Sequence, residues 1–163
     1  DVLPTEMWTV FEDDDRRKTL PHIFMAGGYL AVSEKLADIL RQFDLGASLL
    51  TPVRLLHMDR KTPYPGEHFL FQIKERKRGF EPDHSARWEP NPYEWNAWIG
   101  TPDTPQKDGD ITVNPTVRTG ADIWTDPNLF LALFLSDRLA NAIRDAKLLG
   151  PLNLYRTPIL KLN

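Results

Sequence analysis

Proton transfer or metal binding in this cysteine-free chain would fall to His22, His57, His68 and His84. His57 and Asp59 share one face of a predicted strand, with His68 on the strand opposite. A general acid–base pair needs such proximity. The plainer reading, that hairpin histidines bond nearby backbone or carboxylates, is favoured because none of the spacings carries a metal or catalytic signature. There is no His-Glu-x-x-His and no calcium-loop pattern. Gly27-Gly28 lacks the Lys-Ser/Thr of a phosphate loop, and Ser33 and Ser136 lack a nucleophile elbow. The absence of cysteine excludes disulfides and thiolate chemistry. No catalytic, metal or cofactor residue is therefore assigned, and the chain is expected not to be an enzyme.

Recognition is the better-supported chemistry. Trp88, Glu89, Tyr93, Glu94 and Trp98 lie in one proline-stiffened stretch, and Trp and Tyr are the residues most often found at interface hot spots. They are taken as candidate partner-binding residues, with the acidic neighbours Asp103, Asp108 and Asp110. Trp95 and Trp124 are assigned to packing. For Trp88 and Trp98 interface and packing fit equally. The basic run Lys74–Arg78 and the charged run Glu12–Lys18 read as solvated turns or strand ends. A net charge of −3 and a pI near 5.8 argue against a nucleic-acid partner. No stretch approaches the roughly 20 apolar residues that span a membrane. No charged-then-apolar leader is visible, and a cytoplasmic location is expected.

The elements that must position these residues start from a near-repeat. Ser33-Glu34-Lys35-Leu36-Ala37-Asp38-Ile39-Leu40-Arg41 is echoed by Ser136-Asp137-Arg138-Leu139-Ala140-Asn141-Ala142-Ile143-Arg144. Each serine is a good N-cap, and the acid after it faces the positive end of the helix dipole. Leu36, Ile39, Leu40 and Phe43, and then Leu139, Ala142, Ile143 and Ala146, make helical stripes. Gly46 and Gly150 stand where helix stops are expected. Duplication and chance likeness of two ordinary helices both fit.

Before the first helix, Trp8 to Phe11 reads as an edge strand, and Ile23 to Val32 as an apolar run split by a Gly27-Gly28 turn. Val53 to Met58 and Phe69 to Ile73 read as an antiparallel hairpin across a Pro63-, Pro65- and Gly66-bearing loop. Residues 81–127 hold half the prolines and four of the five tryptophans, with short strands expected at Trp95–Ile99 and Ile111–Val113. Leu129 to Leu135 fits a helix turn or a buried strand, and Leu152 to Leu162 a closing strand. A chain of 163 residues suggests one domain, 1–163. Its expected class is α+β, a mixed, mostly antiparallel sheet with two similar Ser-capped helices packed on it and a Pro/Trp-rich irregular insertion at about 81–127.

The run Ala26-Gly27-Gly28-Tyr29-Leu30-Ala31-Val32-Ser33-Glu34-Lys35-Leu36, the turn Asp59-Arg60-Lys61-Thr62-Pro63, and the later Trp124-Thr125-Asp126-Pro127 and Phe134-Leu135-Ser136-Asp137-Arg138-Leu139 resemble a bacterial family once classed as a domain of unknown function. It is now the eleventh immunity family of polymorphic toxin systems. The resemblance spans about residues 22–160, while 81–110 follows no pattern of the family. It implies a protein that binds a co-encoded toxin of an effector–immunity pair, such as those of type VI secretion and interbacterial competition, and blocks it stoichiometrically. It brings no catalytic residues. Two other classes fit the chain: an adaptor that helps load a secreted effector, and an enzyme whose pocket would join His57, Asp59 and His68.

Overall fold

The computed structural model describes residues 2–93, 97–101, 105–150 and 152–161. Gly27 and Gly28 take φ of +53° and +88°, a pair that side chains resist and that a two-residue hairpin turn demands. They join β2 (Ile23–Ala26) to β3 (Tyr29–Ser33), with Ala26 opposite Tyr29. The next hairpin joins β4 (Leu49–Leu56) to β5 (His68–Gln72), and β1 (Glu6–Trp8) adds to β4 in parallel. The sheet runs β1-β4-β5-β3-β2. Apart from the β1–β4 pair its neighbours are antiparallel.

The sheet is curled. A Cβ on Gly27, in the turn beside edge strand β2, would lie 2.7 Å from Cε of Met7 on the opposite edge strand. Period-two alternation along the strands then divides the apolar side chains between two faces. Ala31, Leu70, Val53 and Leu55 form one buried cluster with Tyr64. Val32, Phe69 and Phe71 turn to the other face and meet two helices, α2 (Glu34–Leu40) and α3 (Asp137–Asp145).

A second hairpin–helix unit mirrors the first. β8 (Ile123–Thr125) and β9 (Leu133–Leu135) pair with Ile123 opposite Leu135, as Ile23 stands opposite Val32. Each is followed by its serine and helix. Ser33 N–H donates to the His22 carbonyl at 3.0 Å and Ser136 N–H to that of Asp122 at 2.8 Å. The same serines' Oγ atoms meet His22 Nδ1 at 2.8 Å and Asp122 Oδ1 at 2.5 Å. They also accept from Leu36 N–H at 3.4 Å and Leu139 N–H at 3.3 Å. Asp122 is 2% exposed. Arg138 grips it through two bonds of 2.6 Å, and Asp44 N–H, beyond α2, donates to it at 2.9 Å. Burial alone would raise this carboxyl's pKa, but the bonds from Arg138, Ser136 and Asp44 outweigh it and hold the pKa below the usual value.

Several expectations are revised. The edge strand is Glu6–Trp8 rather than Trp8–Phe11, and Glu12–Asp15 forms a helical turn, α1. β4 starts four residues early and includes Pro52, which lies where β1 does not reach and an open edge tolerates a missing N–H. Ile111–Val113 forms no strand; Val113 makes only isolated bridges to Phe80 and Ile159, and the latter is all that remains of a closing strand within 152–161. Pro158 beside it has no N–H to continue a ladder. Leu129–Leu135 resolves into a turn followed by β9. The helices stop before Gly46 and Gly150; for α3 the left-handed position is Lys147, at φ +58°.

Candidate partner-binding face

The histidines are not brought together. In the β4–β5 register His68 stands opposite Val53, while His57 lies four residues farther along, about 13 Å at a strand's rise. His57 follows β4 rather than sharing a strand face with Asp59. Its ring stacks on Tyr64 at 4.0 Å and its Nδ1 lies 3.0 Å from Asp15 Oδ1. Asp59 closes the following turn, accepting from Thr62 Oγ1 at 2.5 Å and from Thr62 and Lys61 N–H at 2.8 Å each. Those bonds, Thr62's hydroxyl foremost, lower its pKa to about 2. His68 is buried against Phe24, and burial lowers its pKa. A groove of about 480 Å³ opens between β1 and β2, but none of these three residues lines it. Among the described residues no cluster of His, Asp or Glu is arranged to hold a metal. Asp59 thus bonds its own turn, His57 meets a carboxylate from Glu12–Asp15, and His68 packs on an aromatic ring.

The Trp-rich segment forms a hairpin of β6 (Trp88–Pro90) and β7 (Trp98–Gly100), with Trp88 opposite Gly100. Both indoles turn inward. Their ring centres lie 6.0 and 6.1 Å from that of Phe80, edge to face. They cover a cluster of Phe80, Ile111, Val113, Val117, Trp124, Leu129 and Phe134. Trp88 and Trp98 are therefore half-buried and pack on this cluster. Trp124 is buried, stacked on Phe134 with Lys77 Nζ 3.9 Å above its ring.

Glu89 alternates outward and is exposed. Tyr93, in the hairpin loop, is 92% exposed. Its backbone is fixed by an N–H bond to Asn91 Oδ1 at 3.0 Å, and Asn91 N–H bonds the Ala97 carbonyl at 2.8 Å. With its own N–H held, Tyr93 presents an exposed ring at reduced ordering cost on binding. Glu94, Asp103 and Trp95 lie outside the described residues.

Asp108 and Asp110 differ in exposure. Asp108 is exposed and accepts from Arg156 N–H at 2.7 Å. Asp110 is 9% exposed; it accepts from Lys107 N–H at 2.7 Å and faces Arg87 Nε at 3.7 Å. Burial and these internal partners remove it from any acidic outer surface.

Sequence reasoning missed the exposed apolar residues beside this hairpin, Phe130, Leu131 and Leu133. The segment 128–130 runs along β7: Trp98 N–H bonds the Asn128 carbonyl and Phe130 N–H the Trp98 carbonyl, both at 2.8 Å. An uninterrupted apolar run gives no periodicity from which to tell which members face out.

A family model described as an immunity protein family, Imm11, matches residues 5–151, from β1 through α3. No curated protein matches the chain.

Proposed function

The chain belongs to the Imm11 immunity protein family, and from that premise we propose that it binds a cognate, co-encoded toxin domain and neutralises it by stoichiometric contact. The match over nearly all the described elements carries this reading. A stable inhibitory interface buries about 1,600 Å² in total, and the face built on β6–β7 offers candidate anchors. Tyr93 and Glu89 are its outward contacts, held in place by the packing of Trp88 and Trp98. Glu94 and Asp103, outside the described residues, are retained from the sequence as candidate contacts, with Asp108 as an exposed acidic neighbour and Asp110 as internal support. In the cell that makes it the protein acts in the cytoplasm, against an effector of the kind that type VI secretion delivers between competing bacteria.

The experiment is co-expression with the toxin domain encoded beside this chain, scored for host survival and for a co-purifying complex. Survival with a complex is the expected result. Tyr93→Ala should weaken the complex by about 2 kcal/mol, the scale of an aromatic hot spot, with an unchanged melting midpoint. A complex without survival would replace neutralisation by an adaptor role. A wild-type chain that gives neither survival nor a complex would sink the reading.

A further inference from the structure

The two hairpin–helix units differ at their turns. The first closes with Gly27 and Gly28 alone. In the second, Thr125 opposite Leu133 corresponds to Met25 opposite Leu30, so the positions of Ala26 and Tyr29 fall to Asp126 and Ala132. Pro127–Leu131 then stand where the other hairpin needs two residues. This longer turn carries no charge, and Asp126 and Asp137 are the nearest charged residues on either side of it.

Its backbone is firmly held. Asp126, 3% exposed, accepts from Gly79 and Phe80 N–H at 2.7 Å each and from Asn128 N–H at 2.9 Å. Leu129 N–H bonds the Asp126 carbonyl at 3.0 Å, and the Leu129 side chain is 3% exposed in the core. On this rigid base Leu131 has φ +58° and is 88% exposed, with Phe130 42% exposed beside it. A left-handed backbone disfavours any residue with a side chain, and an exposed leucine gains nothing from burial. Glycine would suit the turn better on both counts. Strain persisting at an over-determined position points to function.

We infer that the β8–β9 turn is a preorganised apolar knob, Leu131 flanked by Phe130, that seats in an uncharged apolar pocket of the toxin domain. The inference rests on the neutralisation reading and adds to it a specific contact. Depletion of charge is characteristic of an interface's buried centre. The knob is continuous with the Tyr93 hairpin through the two backbone bonds of Trp98.

The test compares Leu131→Gly, Leu131→Asp and Leu131→Met with the wild type, measuring melting midpoints and affinity for an inactivated form of the toxin domain encoded beside this chain. Leu131→Gly should melt at the same temperature or higher yet bind at least about 30-fold more weakly. Leu131→Asp should bind weakly too, and Leu131→Met within about threefold of wild type. A glycine variant that binds as wild type overturns the knob and leaves neutralisation standing. A clear loss of stability in that variant overturns the premise of a strained turn. Failure of the wild-type chain to bind the toxin domain overturns both readings.

Discussion

Lys147 ends α3 in the left-handed conformation, at φ +58°. Leu148 N–H reaches back to the Ile143 carbonyl at 3.2 Å and Lys147 N–H to that of Arg144 at 2.9 Å. This is the paired closure of a Schellman motif, in which glycine is the usual occupant. Leu148 completes it by packing into the same cluster as Ile143. Lys147→Gly should therefore stabilise the fold by about 0.5–1 kcal/mol, read as a higher midpoint in urea unfolding. An unchanged or lower midpoint would mean that the lysine stem contributes contacts which offset the backbone strain. At this scale the sequence was legible where a residue type has one job. Ser33 and Ser136 stand one residue before their helices because a hydroxyl suits an orphan N–H. The stop was misplaced at Gly150 because a lysine with positive φ leaves no mark in residue type. The shared strand face expected of His57 and Asp59 failed in a similar way: His57 turns to Asp15 and Tyr64, tertiary partners that spacing cannot show, while Asp59 bonds within its own turn.

The β6–β7 hairpin separates two kinds of aromatic residue. Trp88 and Trp98 cover Phe80, and replacing either with alanine should cost about 2–4 kcal/mol of stability, toward the lower part of the range for aromatic core deletions because both are only half-buried. Tyr93→Ala, with an exposed ring, should stay within about 0.5 kcal/mol. Thermal melting of the three variants checks the contrast. A tryptophan variant that melts with the wild type would return that indole to the binding surface. The elements most legible in the sequence were the β2–β3 and β4–β5 hairpins, where glycine turns and alternation such as Phe69, Phe71 and Ile73 act over enough residues to show a period. Within 81–127 the strands are three residues each. That is too short for a period to register, and isolated bridges tie the segment to distant residues, as Phe80 meets Val113 and Trp98 meets Leu129. The expected strand at Ile111–Val113 failed for that reason: its apolar residues are buried, but its backbone partners do not extend into a ladder.

For the molecule as a whole, acid should loosen the fold in two stages, an upper one set by His68 and a lower one to which Asp122 contributes beside Asp59. His68 is a central-strand residue facing Phe24, and burial lowers its pKa. The unfolded chain therefore takes up a proton that the folded chain resists. The stability that His68 contributes is fully present above the ordinary histidine value of about 6.5 and is lost as pH falls from there toward the folded value. Asp122 acts lower on the scale. Burial opposes its charge, but Arg138, Ser136 and the Asp44 N–H hold its pKa below the usual carboxylate value. Its contribution is complete above about 3.9 and declines as pH falls toward the folded value. This second loss concerns the entire architecture, because Asp122 joins the segment after α2, the start of β8 and the first turn of α3. His68→Gln should flatten the fall in melting midpoint between about pH 7.5 and about pH 5.5, leaving the steeper fall below about pH 4 intact. Asp122→Asn should do the reverse, lowering the midpoint at neutral pH because Arg138, Ser136 and the Asp44 N–H lose their charged acceptor, while making the later acid fall shallower. A His68→Gln variant that loses as much as the wild type in the upper window would transfer that stage to another group, and the buried histidine would then be a packing residue alone.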